Sequence, residues 1–164
     1  MYDFKPDPDL ESEELYRQLV QAADALTLGE PDPVANMANV AALIWEYVPG
    51  LNWAGFYRVM AAGDGHELVL GPFVGRPACI RIPFGHGVCG TAAATGQTQL
   101  VEDVHAFPGH IACDAASEAE VVVPIMRGDK VIAVIDCDSP TKGRFSSEDA
   151  RGFEQLASLL SDRV

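Results

Sequence analysis

Trp53-Ala54-Gly55-Phe56-Tyr57-Arg58-Val59, followed across a glycine-containing turn (Ala61 to His66) by Glu67-Leu68-Val69-Leu70-Gly71-Pro72-Phe73, is the stretch that decides the fold. Both runs are rich in aromatic, β-branched and aliphatic residues, which suit a pleated, half-buried backbone. Gly63 and Gly65 between them supply the chain reversal. The pair therefore predicts an antiparallel hairpin. Toward the C-terminus, Ala78 to Ile82 reads as a third strand. Gly85 to Gly90 leads into a short helix at Thr91-Ala92-Ala93-Ala94 that ends at Gly96, and Gln99-Leu100-Val101 is a short strand. Residues 102 to 118 form an irregular stretch rich in His, Gly and Asp, and a long loop inside a compact domain is usually functional or mobile. Glu120 to Met126 and Lys130 to Cys137 then read as a buried hairpin across Arg127-Gly128-Asp129.

Helices bracket these strands. Ser12 is expected to cap a helix from Glu13 whose apolar positions, Leu15, Leu19, Ala22, Ala23 and Leu26, recur at helical spacing and stop near Gly29. Asp32-Pro33 opens a second helix by the N-cap and first-turn proline rule. It runs through Met37, Val40, Ala41, Ile44 and Trp45 to Pro49-Gly50. Ser146, with Asp149 three residues on, opens the last helix, whose stripe is Phe153, Leu156, Ala157 and Leu160. Helices flanking an antiparallel sheet give an α+β fold, with helices on one face and a loop-built pocket on the other. The 164 residues are expected to form a single domain, 1–164, with residues 1–11 outside its ordered part.

A formal net charge of −13 disfavours nucleic acid and anionic membrane surfaces, both of which are bound through clustered Lys and Arg. Most of the acid serves solubility. No basic stretch followed by an apolar run opens the chain, and no apolar run is long enough to span a bilayer. The expected location is cytoplasmic. In that compartment four cysteines do not make a disulfide framework; they are buried thiols, metal ligands or redox-active groups.

Three of the four sit where a chain bends: Cys113 in His110-Ile111-Ala112-Cys113-Asp114-Ala115-Ala116-Ser117, Cys79 in Pro77-Ala78-Cys79-Ile80-Arg81, and Cys89 in Gly85-His86-Gly87-Val88-Cys89-Gly90. None belongs to a CxxC pair. The pattern suggests thiol chemistry carried by residues distant in sequence and close in space. Cys89, at the opening of a helix, is placed for a lowered pKa. Cys137 alternates between Asp136 and Asp138 and is expected in the core. Asp136 and Asp138 share one face of their strand, and Glu120 opens the neighbouring one. Such a carboxylate cluster would hold a cationic group, and crowding would keep one member protonated as a proton donor. Trp53 and Tyr57 also share a face; taken alone they are an ordinary core pair. His105 and His110 flank the long loop, but their spacing lacks the close-paired ligands of usual zinc sites, so neither metal nor cofactor is expected.

The order of elements, the Trp53–Tyr57 strand and the strand Val134-Ile135-Asp136-Cys137-Asp138-Ser139 resemble a GAF domain. More narrowly the chain resembles the free methionine-(R)-sulfoxide reductases. The matching segments are Leu51-Asn52-Trp53-Ala54-Gly55-Phe56-Tyr57, Leu70-Gly71-Pro72-Phe73, the three cysteine segments, Glu102-Asp103-Val104-His105 and Gly143-Arg144-Phe145. The resemblance implies Cys113 as nucleophile, Cys79 as resolving thiol, and Cys89 as an auxiliary resolver or an alternative nucleophile. It places Trp53 and Tyr57 in the substrate pocket. It also implies thioredoxin as reductant and a homodimer. His86 stands where the family often has Arg. The competing expectation is a GAF module that senses a small molecule such as a cyclic nucleotide, or that only dimerises, since one fold hosts many functions.

Overall fold

The hairpin is formed by β1 (Trp53–Ala62) and β2 (Gly65–Gly75) of a computed structural model that describes residues 5–6, 10–109 and 115–164. β3 (Arg81–Pro83), β4 (Gln99–Val101), β5 (Ala119–Arg127) and β6 (Lys130–Ser139) complete a six-stranded antiparallel sheet in the order β3-β2-β1-β6-β5-β4. The side-chain alternation of a strand sorts the sheet into two faces. Ala54, Phe56, Val121, Val123, Ile135 and Cys137 point to one side and Trp53, Tyr57, Val122 and Val134 to the other.

The first face is covered by α1 (Ser12–Thr27), α2 (Pro33–Tyr47) and α4 (Ser147–Leu160), whose Leu19, Met37, Ile44, Phe153 and Leu156 are fully buried against it. The second face carries α3 (Gly87–Thr95) and the connecting loops. The expected α+β arrangement, helices on one face and a pocket on the other, is therefore observed. Among the described residues no helix is long and apolar enough to cross a membrane.

Local chemistry fixes the helix ends. The Asp32 carboxylate accepts from the Ala35 amide at 2.8 Å, and Pro33 follows it at the first helical position. Ser146 and Asp149 form a reciprocal capping box. Ser12 departs from expectation: it is already helical, the N-cap is Glu11, and no side chain caps it.

Two further expectations shift. β3 is only three residues long: it pairs with β2 from Arg81 to Pro83, and of Ala78 to Ile80 only the Ile80 carbonyl bonds to β2, accepting from the Leu70 amide at 2.9 Å. α3 starts at Gly87 rather than Thr91. Glycine has poor helix propensity, but tertiary contact overrides it here. A Cβ at Gly90 would lie 2.4 Å from the Pro83 carbonyl oxygen, so a bare Cα lets the helix seat against the sheet and aims Cys89 inward. A second close approach occurs at Gly55, where a Cβ would meet the Cβ of Phe73 at 2.4 Å. The space is taken instead by Phe73, whose ring stacks on Trp53. β2 bulges at this point, two residues opposing one of β1.

In the long connection between β4 and β5, the only regular piece among the described residues is a 3₁₀ turn, Val104–Ala106, started by the Asp103 carboxylate accepting from the His105 amide. Cys113 and His110 lie outside the described residues.

Candidate active site

The second face of the sheet holds a pocket of about 520 Å³, counted out to its mouth, between the middle strands, α3 and the loops before β3 and β5. Trp53, Tyr57, Cys89, Glu120, Asp136 and Asp138 all line it. The structure thus brings together six of the candidate residues named from the sequence; Cys79 is not among the lining residues, and Cys113 lies outside the described residues. Cys79 is half-buried, packs against the same apolar cluster, and follows Ala78, itself a lining residue.

The aromatic wall begins with Trp53 and Tyr57, 2 % and 1 % exposed, stacked at 5.9 Å between ring centroids. Phe73 lies on the other partner of the stack, 5.2 Å from Trp53 with the planes 12° apart. Such pairs add about 0.5–1.5 kcal/mol beyond the area they bury, so the wall is rigid. Both polar tips are used. Trp53 Nε1 donates to the Arg76 carbonyl at 3.1 Å, and the Tyr57 hydroxyl donates to the Cys79 carbonyl at 3.0 Å. These bonds tie the loop bearing Cys79 to the pocket wall. Sequence inspection gave no sign of them, because they join residues 22 and 23 positions apart through backbone acceptors.

Opposite the aromatics stand three carboxylates. Glu120 on β5 pairs directly with Asp138 on β6, and Val122 with Asp136, so the acids converge across neighbouring strands. Like charges placed opposite each other in a sheet repel. Glu120 is 7 % exposed and Asp136 6 %. Burial first, and then the charges of Asp136 and Asp138, push the Glu120 carboxyl well above the usual range. Burial pushes the Asp136 carboxyl up to about 7. Two carboxylates this close hold a proton between them at neutral pH. Asp136 Oδ1 is buried with no hydrogen-bond partner among the described residues, an acceptor aimed at something that enters the pocket.

Cys89 corrects an expectation. It lies in the first turn of α3, where the helix dipole would favour a thiolate, yet its thiol is pushed well above its ordinary value. Burial is the first cause and the charges of Asp136 and Glu120 follow. Complete desolvation beside two acids outweighs the half-charge of a helix end. Its Sγ donates toward Glu120 Oε1 at 3.9 Å. Cys89 and Cys137 are free thiols, and Cys137 is fully buried on the helical side, as expected. Cys79 is disulfide-bonded.

Ser117 and His86 also line the pocket. Ser117 accepts from Asn52 Nδ2 at 3.1 Å and so braces the start of β5 against β1. His86, the N-cap of α3, stands at the mouth with Nδ1 3.2 Å from the Phe84 carbonyl. Cys89, Glu120 and Asp136 offer donor atoms within 4.8 Å of one another, whereas His105 belongs to a separate group with Asp103 and Glu118.

The raised Asp136 pKa has a stability consequence. The folded state holds a proton that the unfolded state releases near pH 4, so stability is complete below that pH and is lost as pH rises through about 7. The ligand-free protein is expected to melt at a higher temperature at pH 5 than at pH 8, and Asp136→Asn to flatten that difference. An equal fall in the Asp136→Asn protein would assign the effect to other groups.

A buried thiol and a cluster of carboxyl groups face the aromatic pair of Trp53 and Tyr57 in this pocket. The GAF domain model matches residues 34–163. A free methionine-R-sulfoxide reductase of Escherichia coli (strain K12) is 49 % identical over 147 residues, covering 90 % of this chain and 87 % of that protein. The solved structure of free methionine-R-sulfoxide reductase from Neisseria meningitidis in complex with its substrate superposes with a TM-score of 0.92 at 42 % identity, covering 99 % of this chain and 95 % of the other. A structure from Burkholderia vietnamiensis, named a GAF sensor protein, superposes with a TM-score of 0.87 at 54 % identity, covering 94 % and 96 %. The chain belongs to the GAF-domain family, among its free methionine-R-sulfoxide reductases.

Proposed function

We propose that this protein reduces free L-methionine-(R)-sulfoxide to methionine through a two-thiol cycle, and that thioredoxin restores the thiols. The observation that carries the proposal is the convergence of Glu120, Asp136 and Asp138 with Trp53 and Tyr57 on a single pocket whose rim leads directly to Cys79. The aromatic wall suits the methyl sulfoxide group, since sulfur–aromatic contacts are worth about 0.3–1.5 kcal/mol. Asp136, with its unpartnered oxygen, and Asp138 suit the ammonium of a free amino acid. A peptide-bound residue lacks that ammonium and would leave the buried Asp136 oxygen unsatisfied.

Cys113 attacks the sulfoxide sulfur while Glu120, kept protonated by its burial, gives its proton to the oxygen. The oxygen ends on Cys113 as a sulfenic acid and methionine leaves. Cys79 then displaces water from that sulfenic acid, forming a disulfide. In total two thiols and one sulfoxide become one disulfide, one thioether and one water. Support for a disulfide at Cys79 comes from the thiol states: Cys79 is disulfide-bonded, whereas Cys89 and Cys137 are free; Cys113 as its partner belongs to the proposal. Cys89, protonated and desolvated, acts as an auxiliary thiol beside Glu120 rather than as nucleophile.

The cytoplasm, where thioredoxin is reduced, is the proposed location. The proposed assembly is a homodimer through the exposed small and apolar stripe of α2 (Val34, Ala38, Ala42, Trp45), which sedimentation giving the mass of one chain would refute. A passive sensor, the role named for the Burkholderia protein, would use neither a thiol nor a shared proton. The test follows NADPH consumption with thioredoxin and its reductase. Free methionine-(R)-sulfoxide is expected to be consumed, and the (S) form and an N-acetylated sulfoxide are not. Equal rates for all three would reject the pocket assignment.

A further inference from the structure

Ile80, immediately after the disulfide-bonded Cys79, is 69 % exposed and packs on neither apolar cluster of the protein. The segment around it has a second peculiarity. From Leu68 to Val101 the sequence contains no Asp or Glu but includes Arg76 and Arg81, the second ion-paired with Glu67 of β2, in a chain whose formal net charge is −13. Arg76, Pro77, Ile80, Arg81 and Pro83 are all exposed. β3, which this segment enters, is an edge strand with β2 as its only neighbour in the sheet among the described residues. Cys79 is the accessible one of the described cysteines: it is half-buried, against 4 % exposure for Cys89 and none for Cys137.

We propose that the Arg76–Pro83 edge is the docking surface for the protein reductant, and that the reductant's thiolate attacks Sγ of Cys79. The inference rests on the two-thiol cycle proposed above and extends it to the partner's footprint. The occupant is a dithiol protein presenting an apolar, non-basic face around its attacking thiol. An exposed isoleucine gives such a face an anchor, and the open strand edge offers backbone groups for pairing. An acidic partner is repelled by most of this surface and admitted at the acid-free stretch.

The exchange is balanced. The partner's first thiolate forms a bond to Cys79 Sγ, the existing disulfide of Cys79 breaks, and the departing sulfur takes up a proton. The partner's second thiol, losing its proton, then attacks the mixed disulfide and releases Cys79 as a thiolate. Two electrons pass to the protein, and the partner leaves oxidised.

The experiment compares two reductants on the full-length protein: thioredoxin with its reductase and NADPH, and dithiothreitol, which needs no docking surface. Ile80→Glu is expected to raise the KM for thioredoxin roughly tenfold, the size of effect usual for losing an apolar anchor, while dithiothreitol-driven turnover stays within about twofold of wild type. Ile80→Leu is expected to behave as wild type. Leu28→Glu, a charge placed on another exposed apolar side chain, is expected to alter neither assay. An unchanged thioredoxin KM in Ile80→Glu would overturn the docking surface, and so would equal losses with both reductants. Wild-type protein that turns over with dithiothreitol and not with thioredoxin would remove the regeneration step, and this surface with it.

Discussion

A Cys113→Ser protein, reduced and mixed with free methionine-(R)-sulfoxide, is expected to release no methionine above background, a loss of roughly 10⁴-fold or more. Serine keeps the size of the side chain but replaces a group that is a thiolate at accessible pH with a hydroxyl that is not. It also has no sulfur to accept the sulfoxide oxygen. Cys137 and Cys89 cannot substitute: Cys137 lies on the helical side of the sheet, and the Cys89 thiol is held protonated by burial and by Asp136 and Glu120. The companion variants separate the roles. Cys79→Ser is expected to form about one methionine per chain and stop, with a sulfenic acid that dimedone traps. Cys89→Ser is expected to retain turnover within roughly tenfold, since its thiol neither ionises nor pairs in the cycle. Methionine from Cys113→Ser in an amount equal to the protein would move the nucleophile to another cysteine.

Glu120→Gln is expected to lower kcat for the (R)-sulfoxide by roughly 10²–10⁴-fold, the usual worth of a positioned proton donor, with a much smaller change in KM. The amide matches the carboxyl in shape but has no proton to transfer. Burial first, and then the charges of Asp136 and of Asp138, which faces it across the β5–β6 pair, push the Glu120 carboxyl well above the usual carboxylate range and so favour its acid form. The Asp136 variants should respond differently. Asp136→Asn removes an acceptor at the pocket floor and is expected to raise KM for the amino acid more than it lowers kcat. A Glu120→Gln enzyme with normal kcat would transfer the proton-donor role to another group.

Much of this site was legible in the sequence because strand alternation is a strong local rule. Placing Trp53 with Tyr57, and Asp136 with Asp138 opposite Cys137, needs only the period of two. The carboxylate cluster needed one step more, the pairing of Glu120 with Asp138, and that register depends on a hairpin whose closure the sequence also signals at Gly128. The failures are non-local. The early start of α3 depends on Gly90 meeting the Pro83 carbonyl, a contact that helix propensity cannot anticipate. The Cys89 thiol was misjudged because helix position is readable from sequence and burial beside two acids is not. The Tyr57 hydroxyl bond to the Cys79 carbonyl, which couples substrate wall to redox loop, has no sequence signature at all.

The most direct measurement is a single turnover without any added reductant. Fully reduced protein is mixed with excess free methionine-(R)-sulfoxide, methionine is quantified, thiols are counted, and the disulfide is mapped by mass spectrometry of the digest. The account predicts about one methionine per chain, the loss of two thiols, and a Cys79–Cys113 linkage, as the conversion of one sulfoxide oxygen to water requires. Folded protein that binds the sulfoxide yet yields no methionine and keeps all its thiols would contradict it and leave a binding module in its place.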